Sequence, residues 1–161
     1  MAVNKTEIIA EPGQHHFLIS RQFDAPVEDV FMAFTQPTCL QQWAMPAEMA
    51  FTIEQMECKT GGLFKNHHVH QNGMKFGFHG VYHEVSKPDL IIRTSEFTGL
   101  PQKMMPVLET TTFNRTENGN TKVIIHTICA SAEFRDAMIR NGMEDHLKLS
   151  YSLLDKVLKN F

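Results

Sequence analysis

Residues 131–161 read SAEFRDAMIRNGMEDHLKLSYSLLDKVLKNF, and this closing stretch decides the fold. It contains no proline, and Met143, Leu147, Tyr151, Leu154 and Leu158 recur at steps of four and three, which places them on one stripe of an α-helix. Leu149, Leu153 and Val157 form a second row that widens the apolar face. Glu144, Asp145, Lys148, Asp155, Lys156 and Lys159 fall elsewhere. Such a helix needs a broad apolar partner, and the chain before it reads as strands. The expected architecture is therefore α+β: a curved antiparallel sheet gripping a long C-terminal helix, with a cavity between them. Ser131 is a natural N-cap, and Asn141-Gly142 interrupts the pattern because glycine costs about 1 kcal/mol inside a helix. The spacing predicts a short helix over 133–140, a bend, and the long helix over 142–160.

Working outward, residues 15–23 (HHFLISRQF) alternate as a first strand. Asp24-Ala25-Pro26 starts a helix whose buried face is Val27, Val30, Phe31 and Phe34, with Glu28 and Asp29 at the positive end of its dipole. Pro37 stops it, and a second short helix follows over 38–43. From Ala50 onward the pattern is strands: 50–55, 63–70, 75–85, 90–97, 107–115 and 121–130. Asn72-Gly73 reads as a two-residue hairpin turn, and Glu117-Asn118-Gly119-Asn120 marks a second hairpin. The order is β-α-α-β×6-α, a meander with the first strand closing against its far end. Residues 1–161 are expected to form a single domain, with 1–13 loosely ordered. The proline-rich, methionine-bearing segment 98–106 (TGLPQKMMP) is the expected mobile loop.

Length and composition fit one soluble globular domain: 161 residues, 42% hydrophobic and 20% charged. A net charge of −3 gives no electrostatic reason to expect nucleic acid, and the helix pair at 24–43 has no basic face. No apolar run approaches the ~20 residues that span a bilayer, and the first residues lack the apolar core of a secretory signal. A cytoplasmic protein without membrane insertion, monomeric or homodimeric, is expected. Cys39, Cys58 and Cys129 form no CxxC pair and read as buried or half-buried thiols.

Four runs carry a resemblance. They are 21–43 (RQFDAPVEDVFMAFTQPTCLQQW), 57–62 (ECKTGG), 80–85 (GVYHEV) and 141–145 (NGMED). At these spacings the chain resembles single-domain relatives of the activator of the heat-shock protein ninety ATPase, over roughly residues 15–160. The resemblance implies the START-like (SRPBCC) helix-grip fold. It departs at the glycine turn, where Glu57 and Lys59 replace the usual aspartate and arginine. The resemblance also implies a stress-related chaperone link, although the eukaryotic co-chaperone engages its partner through an additional N-terminal domain.

Nine histidines raise a metal site, since His68 and His70 share one strand face and His79 and His83 share a face of its neighbour. No CxxC or HExxH spacing supports one. No nucleophile elbow or phosphate-binding loop is present, so no catalytic residue and no cofactor is assigned. The acidic residues Glu28, Asp29, Glu144, Asp145 and Asp155 read as surface charge on exposed helix faces. What remains is the cavity. Its expected wall comprises Trp43, Met45, Phe64, Phe78, Tyr82, Phe97, Met104, Phe113, Met143, Leu147 and Tyr151, with polar tips from Tyr82, Tyr151, His146 and a strand histidine. A small hydrophobic or amphipathic ligand is the first functional reading, a chaperone accessory role the second, and a cavity enzyme acting on polyketide-like substrates the third.

Overall fold

The structure, a computed structural model, describes residues 4–46 and 48–161. Eight antiparallel strands form one sheet in the order β1-β2-β8-β7-β6-β5-β4-β3. Their ranges are β1 Glu7–Ile9, β2 His16–Phe23, β3 Ala50–Met56, β4 Leu63–Val69, β5 Lys75–Ser86, β6 Leu90–Thr98, β7 Val107–Arg115 and β8 Thr121–Ile128. Helices α1 (Val27–Thr35) and α2 (Pro37–Trp43) follow β2, while α3 (Ala132–Met138) and α4 (Glu144–Leu158) end the chain. The antiparallel β-β-α-α-β×6-α-α layout, which is the expected order with β1 added in front and the terminal stretch split in two, is a helix-grip fold. Thr121–Ile128 pairs along the whole of β2, so the first long strand closes the meander.

Residues 1–13, expected as loosely ordered, contain β1. Its three residues pair with Leu18, Ile19 and Ser20 of β2, and Ile8 packs against the core. The segment is too short to show periodicity, and the open edge of β2, rather than its own pattern, makes it a strand.

Both asparagine–glycine hairpins close one residue wider than the two-residue turn expected of 72–73. The amide of Gly73 donates to the His70 carbonyl and that of His70 to the Met74 carbonyl; Gly119 and Thr116 repeat this against Thr116 and Asn120. Among the described residues none other than glycine has positive φ, so Asn72 and Asn118 cannot supply the first half of a type I′ turn. Within these two loops only Gly73 (φ 84°) and Gly119 (φ 78°) enter the left-handed region, giving three-residue loops with a glycine bulge.

The C-terminal stretch bends where its sequence placed the break. The Ser131 hydroxyl accepts from the Phe134 amide to cap α3. A wider turn over Ile139–Met143 then merges the two helices across a kink at Asn141 and Gly142 (φ 85°, ψ 15°). A Cβ at Gly142 would meet no neighbour, so only backbone strain opposes substitution. Gly142→Ala is expected to cost about 1 kcal/mol, seen as a lower urea midpoint at unchanged slope. An unchanged midpoint would mean the bend does not depend on the glycine.

The sheet's inner face divides into two halves. Over β2, β8 and β7 it is sealed: Phe17, Ile19, Phe23, Val123 and Phe113 are buried. Phe31 and Phe34 of α1 stack edge-on against Phe113, each at 5.2 Å between ring centroids. Trp43 of α2 donates its indole N–H to the Ala33 carbonyl (2.9 Å), which ties α2 to α1. Arg21 projects from β2 in the same inward row and forms a bidentate pair with Asp155 of α4 at 2.7 and 2.6 Å. Asp155, expected as surface charge, is thus the anchor of α4 to the sheet. Its helical position faces the i−4 stripe of Tyr151, and Arg21 takes it up there.

Candidate functional site

The other half of the inner face, over β3 to β6, is built differently. Register places Phe51, Ile53 and Met56 of β3, Phe64, Asn66 and His68 of β4, Phe76, Phe78 and Tyr82 of β5, and Arg93, Ser95 and Phe97 of β6 on this face. Two bulges preserve it. One lies between Ile53 and Gln55, the other between Tyr82 and Glu84, so the extra residues are Glu54 and His83. Because the second bulge follows Tyr82, Phe78 and Tyr82 keep the same parity. Here Phe51, Ile53, Met56, Phe76, Phe78 and Phe97 point inward yet stay half-buried. Helix α4 approaches α1 and α2 closely but keeps its main chain away from these strands. The half-buried inward side chains of β3–β6, facing α4, are the candidate cleft.

The cleft is aromatic. His68, 3% exposed, lies between the rings of Phe51 (4.8 Å, 10° between planes) and Phe76 (4.9 Å, 30°). Phe97 meets Phe76 at 5.8 Å and Phe78 at 5.3 Å, and Phe64 meets Tyr82 at 5.3 Å. The guanidinium of Arg93 sits 4.6 Å above the Phe64 ring while its Nε donates to Glu109 at 2.6 Å. From the α4 side, His146 faces His68 closely enough to influence it electrostatically. The Ser150 hydroxyl joins α4 to α2 by donating to the Ala44 carbonyl (3.2 Å).

Burial sets the protonation chemistry. It lowers His68 to about 4, with the neighbouring His146 and His67 adding in the same direction. Burial lowers His146 as well, and it pushes the Tyr82 phenol up to about 12 despite the nearby Arg93. The Cys58 thiol beside Tyr82 is raised, again by burial. Near neutral pH both imidazoles are uncharged and the phenol keeps its proton. On this face Asn66 Oδ1 and His68 Nδ1 are buried without a partner among the described residues.

The residues expected at the cavity wall separate accordingly. Phe64, Phe78, Tyr82 and Phe97 lie on the inner face of β4–β6, and Met143 and Leu147, half-buried, lie beside His146 on the C-terminal stretch. Trp43, Phe113 and Tyr151 belong to the sealed half. Tyr151 is 3% exposed, edge-on to Phe23 at 5.4 Å and 6.1 Å from Trp43, with burial raising its phenol. Met45 and Met104 are half-buried and stand outside the packed core. The strand histidines disperse: His67 pairs with Glu54, His79 lies 3.7 Å from Glu96, and His83 reaches Thr94. Among the described residues no three His, Cys, Asp or Glu side chains converge as metal ligands.

The family model for activator of Hsp90 ATPase homolog 1-like proteins matches residues 24–159. The chain belongs to this family. Solved structures agree on the helix-grip fold. Protein Ms6760 from Mycobacterium smegmatis superposes with a TM-score of 0.85 at 18% identity, covering 97% of each chain. A protein from Rhodobacter sphaeroides gives 0.83 at 24% identity over 98% of this chain and 99% of that one. One from Arthrobacter aurescens gives 0.82 at 23% identity over 96% and 92%. No curated protein matches the sequence. The matched span includes the glycine turn at residues 57–62. There the main chain does the bonding, with the Gly61 amide donating to the Tyr82 carbonyl and the Tyr82 amide to the Gly62 carbonyl.

Sequence reasoning missed Arg21, Asn66, Phe76, Arg93, Ser95 and Glu109 as inward residues. Parity carried the signal: Arg93 and Ser95 share the face of Ile91 and Phe97, and Glu109 lies between Val107 and Thr111 in an inward row. A further shallow groove of about 380 Å³ lies on the opposite, outer face, lined by Gln55, Leu63, Lys65, His79 and Val81 among others. Phe64, of the inner face, also contributes to its lining.

Proposed function

We propose that this protein is a cytoplasmic binding protein that encloses a small hydrophobic or amphipathic molecule between α4 and the inner face of β3–β6. One observation carries the reading. Most apolar side chains on one half of the inner face are buried, Ile125 being half-buried, whereas on the other half six point inward and stay half-open to solvent beside the buried Phe64, Tyr82 and Ile91. An inward apolar surface left uncovered forgoes roughly 25 cal/mol for each Å². Bound ligand recovers that burial.

The test is a thermal-shift screen of apolar metabolites, paired with native mass spectrometry of protein purified without added ligand. A ligand at a hundred times its Kd adds about 2.7 kcal/mol, which for a domain of this size raises Tm by roughly 5–10 °C. No shift across the panel and no retained mass would contradict the reading. Family membership over 24–159 gives a second reading, a chaperone accessory role. Stimulation of the cognate chaperone's ATPase by the purified chain would support it, and an unchanged rate would remove it.

A further inference from the structure

Two polar atoms of the cleft stand out because no protein group satisfies them. Asn66 Oδ1 and His68 Nδ1 are buried without a hydrogen bond, and the two residues lie on the same face of β4, two positions apart. A buried orphan of this kind costs the fold about as much as a lost hydrogen bond. The charged side chains nearby each have a partner, although Arg21 Nε, in the sealed half, itself goes unbonded. Arg93 is held by Glu109, Arg21 by Asp155, and His67, on the outer face, by Glu54. The unmatched pair is bracketed by aromatic rings, with Phe51 and Phe76 stacked on His68 and Phe78 opposite Asn66 in the register.

Resting on the cleft reading above, we infer that the ligand is a flat, uncharged molecule with an apolar ring body and a hydroxyl-type head, and that Asn66 and His68 receive the head. The head must both donate and accept. An amide oxygen needs a donor, and an imidazole nitrogen takes either role according to its tautomer. Charged heads fit poorly. A carboxylate drawn to Arg93 meets Glu109 beside it, and one drawn to His68 meets an imidazole that burial keeps neutral near pH 7. An ammonium finds the carboxylates of Glu109 and Asp155 already engaged. Flatness follows from the ring walls of Phe76, Phe78 and Phe97, which offer stacking and edge contacts.

Three probes with one body separate the possibilities: β-naphthol, its methyl ether and β-naphthoate, titrated at neutral pH by calorimetry. β-Naphthol is expected to bind about tenfold tighter than either of the others, the factor one satisfied hydrogen bond supplies. Asn66→Leu is expected to bring the naphthol and ether affinities together while raising the Tm of the free protein, since it removes the orphan. His68→Phe is a second variant, which keeps the ring stack and is expected to lose the same preference. Naphthoate binding as tightly as naphthol, or an unchanged naphthol-to-ether ratio in both variants, would overturn the inference and leave the cleft standing. Failure of all three probes to bind would overturn the cleft reading with it.

Discussion

Replacing Asp155 by leucine is expected to destabilise the protein by about 3 kcal/mol, near the lower end for breaking a buried ion pair. Replacing Arg21 by methionine is expected to cost about 1 kcal/mol. The asymmetry comes from exposure. Asp155 is 36% exposed, so its carboxylate returns to water when Arg21 is gone. Arg21 is 6% exposed and its Nε already lacks a partner, so without Asp155 its charge is stranded against the Phe23 ring 4.5 Å away. The double variant is expected to recover most of the loss, because two apolar side chains of similar volume replace a pair whose desolvation was costly. Urea unfolding of the four proteins measures the cycle. Equal costs for the two single changes, or a double variant no better than Asp155→Leu, would contradict this account of how α4 is fastened.

Acid should destabilise the fold through His68 by on the order of 3 kcal/mol. Its folded pKa lies at about 4 against an ordinary 6.5, so between those values the unfolded chain binds a proton that the folded chain refuses. Stability is therefore complete above about pH 6.5 and falls as the pH drops toward 4. His146, lowered by burial, contributes with the same sign. The paired carboxylates Glu28, Glu54 and Glu144 are also lowered, by their hydrogen bonds to Arg115, Lys65 and Lys148, and they too lose stability in acid. The difference between wild type and His68→Phe isolates the histidine. The variant is expected to show a shallower decline from pH 6.5 to 4. Parallel profiles would mean that His68 titrates normally.

Long-range periodicity explains what the sequence made legible. The stripe from Met143 to Leu158, the Ser131 cap and the break at Asn141-Gly142 are local signals, and α3, the kink and α4 follow them. Six middle strands with clear alternation left an antiparallel meander as the one economical arrangement. β1 was illegible because Glu7–Ile9 owes its strand to pairing with β2. The hairpin loops read wide because the choice between turn types depends on the asparagine φ, which the Asn-Gly pair does not determine.

Aromatic residues at alternate positions made the inner row from Phe64 to Phe97 legible, but Tyr151 reads the same on an α4 facing a cleft or a packed core. Only the third dimension separates them, and Phe23 and Trp43 enclose it. Arg93 and Glu109 were missed because a charge in an inward row reads as a break in the pattern. They sit there because each neutralises the other.

The most direct measurement is a backbone and side-chain NMR titration with β-naphthol. Shift changes are expected at Phe51, His68, Phe76, Phe78, Phe97 and His146, with Phe17, Phe23 and Phe113 unmoved. Changes confined to the outer groove around Leu63, Lys65 and His79, or absent throughout, would contradict a binding cleft beneath the terminal helix.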